Sequence, residues 1–209
     1  MKQKIAIFDI DNTILSVDSF LKFIFFIFKN YPFKIINIPY LIFIFLLRLL
    51  NIISIEKLKE KFLNILLSDL SDEEIKNLTN NFINKVLFKK IKPKLKNYIT
   101  ELKSNGFHII FATASLEFYI KDLATFFSAD AFVATQILRK DNIFYIKGKN
   151  CKDIEKIFRL KKILNVEDID RENSIAYSDS ITDIFFLELC KKFYLVDRKK
   201  WKILKEYTA

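Results

Sequence analysis

Three short polar clusters interrupt otherwise apolar stretches of this chain: Asp9-Ile10-Asp11-Asn12-Thr13, Thr113-Ala114-Ser115 and Asp179-Ser180-Ile181-Thr182-Asp183. A lysine, Lys156, lies between the last two. Brought together, Asp9, Asp11, Asp179 and Asp183 would repel one another unless a cation or a bound proton compensates. All four offer hard oxygen ligands, and no His or Cys accompanies them. That donor set selects Mg²⁺ over zinc.

Each cluster follows a run that reads as a buried strand. KIAIF (4–8) ends at the first, FHIIFATAS contains the second, and NSIAYSDS ends at the third. Strand ends near the switch point of an open α/β sheet are where ligands bind. Between about residues 16 and 90 no strand pattern occurs, and the periodicity predicts helices over about 18–29, 33–50, 54–67 and 71–88. Ser71 with Glu74 has the form of a capping box. Pro93 is expected to open a further helix that stops at Asn105-Gly106. A helix from about 115, the strand AFVATQI and a small hairpin around Asp141-Asn142 follow. Then come a helix over 151–164, a helix over 180–190 and a last strand, KFYLV. The prediction is an α/β fold with a doubly wound, mostly parallel, Rossmann-like sheet and a helical cap inserted after the first strand. Residues 1–16 and 90–209 form the core in this reading, and 17–89 the cap.

The ordered set of motifs resembles the haloacid dehalogenase-like phosphatases. FDIDNT is similar to their DxDxT motif, FATAS to the second motif, KGKNCKDIEK to the lysine motif and AYSDSITD to the acidic motif. A cap between the first two resembles the phosphoserine-phosphatase-like branch, subfamily IB. The resemblance implies Asp9 as nucleophile forming an aspartyl-phosphate, and Asp11 as the acid and then base. It implies Thr113 and Lys156 as phosphate-binding residues, with Thr13 and Asp183 in support. Mg²⁺ would be held by Asp9, the Asp11 carbonyl and Asp179. Two positions depart from the family: Asn12 and Ser178 stand where glycine is frequent. Asn is the residue that best replaces Gly at positive φ. Ser115 is expected to cap the next helix and Asp18 the helix after the first motif. His108, Cys151 and Cys190 read as structural.

The chain of 209 residues carries a net charge of +10, with 51% hydrophobic residues and 23 Phe. A basic balance suits an anionic membrane or a phosphorylated substrate; no nucleic-acid partner is expected. Two cysteines make no disulfide framework, and a cytoplasmic site, at the inner face of the membrane, is the natural location. The lysine run 88–96 reads as a solvated face or a headgroup contact. Residues 19–55 hold ten aromatics, no acid and only Lys22, Lys29, Lys34 and Arg48 as charges. A single crossing there would separate Asp9 from Thr113 and Asp179. Either the cap is a soluble bundle, or its outer face rests in one leaflet of an anionic membrane with those four cations at headgroup level. The second is favoured, because so small a cap can hardly bury so many large side chains. The substrate is then a lipid phosphate such as phosphatidylglycerophosphate, which one apolar-capped type in the resembling branch dephosphorylates. A phosphoserine-like soluble ester, a phosphotransferase activity and a non-catalytic membrane adaptor are the alternatives.

Overall fold

The computed structural model describes residues 2–209. Lys4–Phe8 forms β1, apolar at every position after the first. Ile5 and Ile7 join one buried cluster, while Ala6 and Phe8 join another on the opposite face. A strand buried on both sides is what a parallel sheet covered by helices requires.

Besides β1, the sheet comprises β2 (Phe107–Leu116), β3 (Ala131–Thr135), β6 (Ile175–Ser178), β7 (Lys192–Val196) and β8 (Ile203–Thr208). Their order is β3-β2-β1-β6-β7-β8. All neighbours pair parallel except β8, which runs antiparallel to β7. The chain moves from β1 outward to β2 and β3, then returns to β1's other edge as β6. The switch point therefore lies at the C-terminal end of β1. Helices α5 (Leu95–Ser104) and α6 (Glu117–Phe126) bury apolar residues in the Phe8 cluster. Helix α7 (Ile154–Ile163) buries Ile157 and Leu160 against the other face. A separate hairpin, β4 (Ile137–Lys140) and β5 (Ile143–Ile146), turns at Asp141 and Asn142, both at positive φ. That is the backbone a two-residue hairpin turn demands.

Between β1 and β2 the chain forms α1 (Ser19–Asn30), α2 (Ile38–Leu49), α3 (Ile55–Leu67) and α4 (Asp72–Phe82). Asp18 caps α1 through the Leu21 amide, and Ser71 with Glu74 closes a full capping box on α4. Phe23 of α1 and Phe82 of α4 pack on Tyr119 of α6, so these helices share one core with the sheet. The two connecting stretches run side by side, with Leu15 bridged to Ile91.

Several expectations need correction. The helix expected over 33–50 is a 3-10 segment, Pro32–Asn37, followed by α2. Pro39 has no N–H to give an upstream carbonyl, so it sits in the first turn of α2. The helix expected over 71–88 widens into a π turn at Ile83–Leu87 and a 3-10 turn at Phe88–Lys90. Pro93 opens no helix. The chain stays extended to Lys92, whose amide bonds the Ile14 carbonyl, and turns through Lys94 at φ 68° before α5 begins. The segment expected as a helix over 180–190 is a 3-10 helix, Ile181–Glu188, that begins within the third cluster. Three residues per turn aligns Asp183, Phe186 and Leu189 on one buried edge. Strand β8 carries no apolar alternation because it is an exposed sheet edge.

Candidate active site

Asp9 follows β1, Thr113 lies near the end of β2, and Asp179 follows β6. The adjacent strands thus bring all three clusters to one sheet edge. Asp9 is buried between two partners: Lys156 Nζ donates to Oδ1 at 2.7 Å and Thr13 Oγ1 to Oδ2 at 3.1 Å. Lys156, from the first turn of α7, also donates to Asp183 Oδ2 at 2.6 Å. Ser178 Oγ donates to the same oxygen at 2.7 Å. Thr13 Oγ1 in turn accepts the Asp179 amide at 2.9 Å, tying the first cluster to the third.

Burial pushes Asp9 up to about 7; Lys156 pulls it down, and Asp183 adds to the rise. For Lys156 itself burial favours the neutral amine, but Asp9 and Asp183 outweigh it and raise its pKa. The ammonium is therefore fixed between two carboxylates.

Asp11 stands apart from this triad. Its Oδ2 accepts from Ser115 Oγ at 2.6 Å, and Ser115 contacts Ser19 Oγ at 2.8 Å, which donates to Tyr119 Oη at 3.1 Å. Ser115 thus does not cap α6, whose N-cap is Leu116 without a side-chain bond. Asp11 Oδ1 is buried and has no hydrogen-bond partner among the described residues. Burial pushes Asp11 up to about 6, with the Asp18 charge adding to the rise and Ser115 opposing it. Asn12 is at φ 58°, the conformation for which Asn substitutes for Gly. Thr113 is buried, and its Oγ1 accepts the Ser115 amide at 3.1 Å. Pairing of β2 with β3 shifts register between Ala112 and Leu116, so Thr113 and Ser115 sit on an irregular stretch. Such irregularities re-aim side chains beside sites.

The Asp11 environment gives a stability prediction. A carboxyl whose folded pKa lies above its unfolded one binds more protons when folded. Stability is then lost as pH rises from about 4 to about 6, and the loss is complete above that. Asp11→Asn should therefore melt above the native protein in EDTA at pH 7, by about 2 kcal/mol after allowance for partial exposure. Thermal melts at stepped pH check this: the gain should shrink towards zero near pH 4, and a gain independent of pH would contradict it.

Three further polar residues at the site escape sequence reasoning. Lys59 of α3 is buried and donates to the Ala114 carbonyl and Asn150 Oδ1, both at 2.6 Å. Burial lowers it to about 8, against the pull of Asp11 and Asp18. Its position beside Leu58 and one turn before Leu63, on an apolar helix face, was the available signal. Lys92, inside the lysine run read as solvated, is fully buried. It donates to the Asn12 carbonyl at 2.5 Å and to the Asp197 carbonyl. Exposed Arg198 donates to Asp179 Oδ2 at 2.8 Å.

The donor set fits Mg²⁺. Asp9 and Asp183 share the Lys156 ammonium, Asp179 has only the exposed Arg198 guanidinium, and Asp11 Oδ1 has no hydrogen-bond partner among the described residues. Among the described residues no three His, Cys, Asp or Glu side chains converge as a ready-made cage. Mg²⁺ does not need one: it typically takes one or two carboxylates and completes its shell with water and substrate phosphate. Asp9 and Asp179 with a backbone carbonyl match that demand. The exposed Arg198 pair is a weak competitor for Asp179.

A family model for haloacid dehalogenase-like hydrolases matches residues 6–188. No curated protein sequence is a match. Among solved structures, a Bordetella pertussis Tohama I protein of unknown function is similar, with TM-score 0.75 and 20% identity over 90% of this chain and 87% of that one. A phosphoserine phosphohydrolase-like protein from Francisella tularensis has TM-score 0.62 and 22% identity, over 91% of this chain and 86% of that one. A phospho-aspartyl intermediate analogue of phosphoserine phosphatase has TM-score 0.61 and 19% identity, over 91% and 84%.

Proposed function

We propose, from the premise that this chain belongs to the haloacid dehalogenase-like hydrolase family, that it hydrolyses a phosphomonoester through a phosphoryl group carried on Asp9. The observation that carries this reading is the contrast between two buried-site carboxylates two residues apart. Asp9 is neutralised by Lys156, whereas Asp11 keeps one buried oxygen without a partner.

Asp9 attacks phosphorus, and the bond to the ester oxygen breaks. Asp11, whose carboxyl burial raises to about 6 so that it binds a proton more readily than an exposed aspartate, gives a proton to the departing oxygen from its protonated form. Asp11 then takes a proton from water, which attacks phosphorus and releases phosphate from Asp9. Thr113 and Lys156 hold the phosphoryl oxygens. Lys156 must swing part of its bonding from Asp9 to the phosphate as charge moves. Thr13 keeps Asp9 and the Asp179 loop together. Bound Mg²⁺, held by Asp9, the Asp11 carbonyl and Asp179, would screen the nucleophile from the phosphate dianion and stabilise charge in transfer. EDTA should reduce turnover of an aryl phosphate to background, with Mg²⁺ restoring it. Turnover unchanged after exhaustive chelation would contradict the metal assignment.

The substrate reading we favour is a lipid phosphate such as phosphatidylglycerophosphate, supported by the apolar side chains that the helical insert leaves exposed. A screen of lipid phosphates in mixed micelles against soluble monoesters decides. At least tenfold higher kcat/KM for a lipid ester supports it; the reverse ranking, led by phosphoserine, replaces it with the soluble-substrate reading.

A further inference from the structure

The segment Pro32–Leu49 has the length and composition to cross a membrane, and of its residues only Lys34, Leu41 and Ile44 are buried. At 100° per residue, the exposed side chains of α2 (Phe45, Leu49, Ile42, Leu46, Phe43 and Tyr40) cover an arc of about 220°. The rest of the helix rests on α3. The preceding 3-10 segment adds Ile36, 83% exposed, and α1 adds Leu21 and Phe25 one turn apart. A protein partner typically covers a stripe of a helix, whereas lipid chains surround whatever enters them.

The charges favour an anionic lipid surface. No acid occurs between Asp18 and Glu56. Those two are engaged: Asp18 caps α1, and Glu56 accepts the Asn150 amide. Lys29 is exposed, and Lys22 and Arg48 are half-buried. Lys34, expected at headgroup level, is instead turned inward onto Asp69 at 2.5 Å, so it takes no part. On α1, Lys22 and Lys29 flank exposed Leu21 and Phe25 without acidic neighbours from their own segment, whereas Arg48 lies towards the α3 side of α2 and bonds Asn51 Oδ1 at 2.7 Å.

A crossing is excluded by what lies on either side of α2. Both its flanks return to the same body: Lys34 is pinned to Asp69, and α3 is pinned by Lys59 to the Ala114 carbonyl. We infer that α2 and the turn before it form a one-sided membrane anchor that lies in the interface of an anionic bilayer. The anchor is one helix removed from the site, since α3 carries α2 on one side and Lys59 on the other. The inference goes beyond the catalytic reading and does not need it.

Flotation of the full chain with phosphatidylglycerol-containing vesicles at low salt tests it, with hydrolysis of an aryl phosphate measured on the same samples. The native protein should float with these vesicles, and less with phosphatidylcholine alone. Phe43→Glu with Leu46→Glu, at exposed positions, should cut the floating fraction about tenfold or more while leaving aryl phosphate turnover unchanged. Lys29→Glu, at an exposed position of α1, should weaken binding to anionic vesicles only. Native protein that stays at the bottom with anionic vesicles overturns the inference, whatever the variants do. So does a stable dimer in place of vesicle binding, dissolved by Phe43→Glu, which would make a second copy the occupant. Loss of turnover with flotation intact would instead count against the catalytic reading alone.

Discussion

Asp9→Asn should lower turnover of a generic aryl phosphate by about four orders of magnitude or more, with the fold retained. The size follows from the role: without the nucleophile no covalent step occurs, and removal of an attacking group commonly costs that much. Retention follows from the surroundings. The amide keeps the volume of the carboxyl and can still accept from Thr13, while Lys156 keeps Asp183 at 2.6 Å. The change also removes a carboxyl that burial holds at about 7, so one source of repulsion with Asp183 disappears. Two measurements separate chemistry from folding. Thermal melts should differ by only a few degrees. Acid quenching during turnover of a labelled ester should leave label on the native protein and none on the variant. Undiminished turnover by Asp9→Asn would remove Asp9 from the nucleophile's role.

The first cluster was legible because its chemistry is local. A short apolar run ending in Asp-x-Asp must deliver both acids to a strand end, and β1 does so. The clusters at 113 and 179 were legible for the same reason, since parallel strands share an orientation and hence an edge. What the sequence hid depends on long-range contacts. Lys92 looks like its four neighbours in a lysine run until Asn12 and Asp197 are seen to enclose it. Lys34 looks like a surface cation in an apolar segment until Asp69, 35 residues on, meets it. Ser115 reads as a cap because its partner Asp11 lies 104 residues away. The 3-10 helix after Asp179 reads as an α-helix because helical periods of 3.0 and 3.6 differ little over eight residues.

Lys156 carries the second large effect, on stability as much as on rate. Lys156→Met keeps much of the side-chain volume but removes the cation that bridges Asp9 and Asp183. Both carboxylates are buried, so breaking these pairs should cost about 3–5 kcal/mol, a fall in Tm of roughly 10 °C for a chain of this size. Turnover should fall about a hundredfold or more, since the phosphoryl oxygens lose a charged donor. The pH dependence identifies the cause. Asp9, already raised to about 7 with Lys156 present, rises further without it. A carboxyl with a raised folded pKa costs stability only where it would ionise, so the deficit should be widest near pH 8 and narrow towards pH 5. A cavity or packing defect would give a deficit of equal size at both. Asp183→Asn added to Lys156→Met should recover part of the stability by removing one of the two facing charges. Activity should stay low, because the ammonium is still missing. Lys156→Arg keeps the charge but offers a larger, planar group to a socket whose contacts are 2.6 and 2.7 Å. It should therefore melt closer to the native protein than Lys156→Met at pH 8 while remaining impaired in turnover. If Lys156→Met melted with the native protein at pH 8, the ammonium would be contributing nothing to the balance of charge at this site.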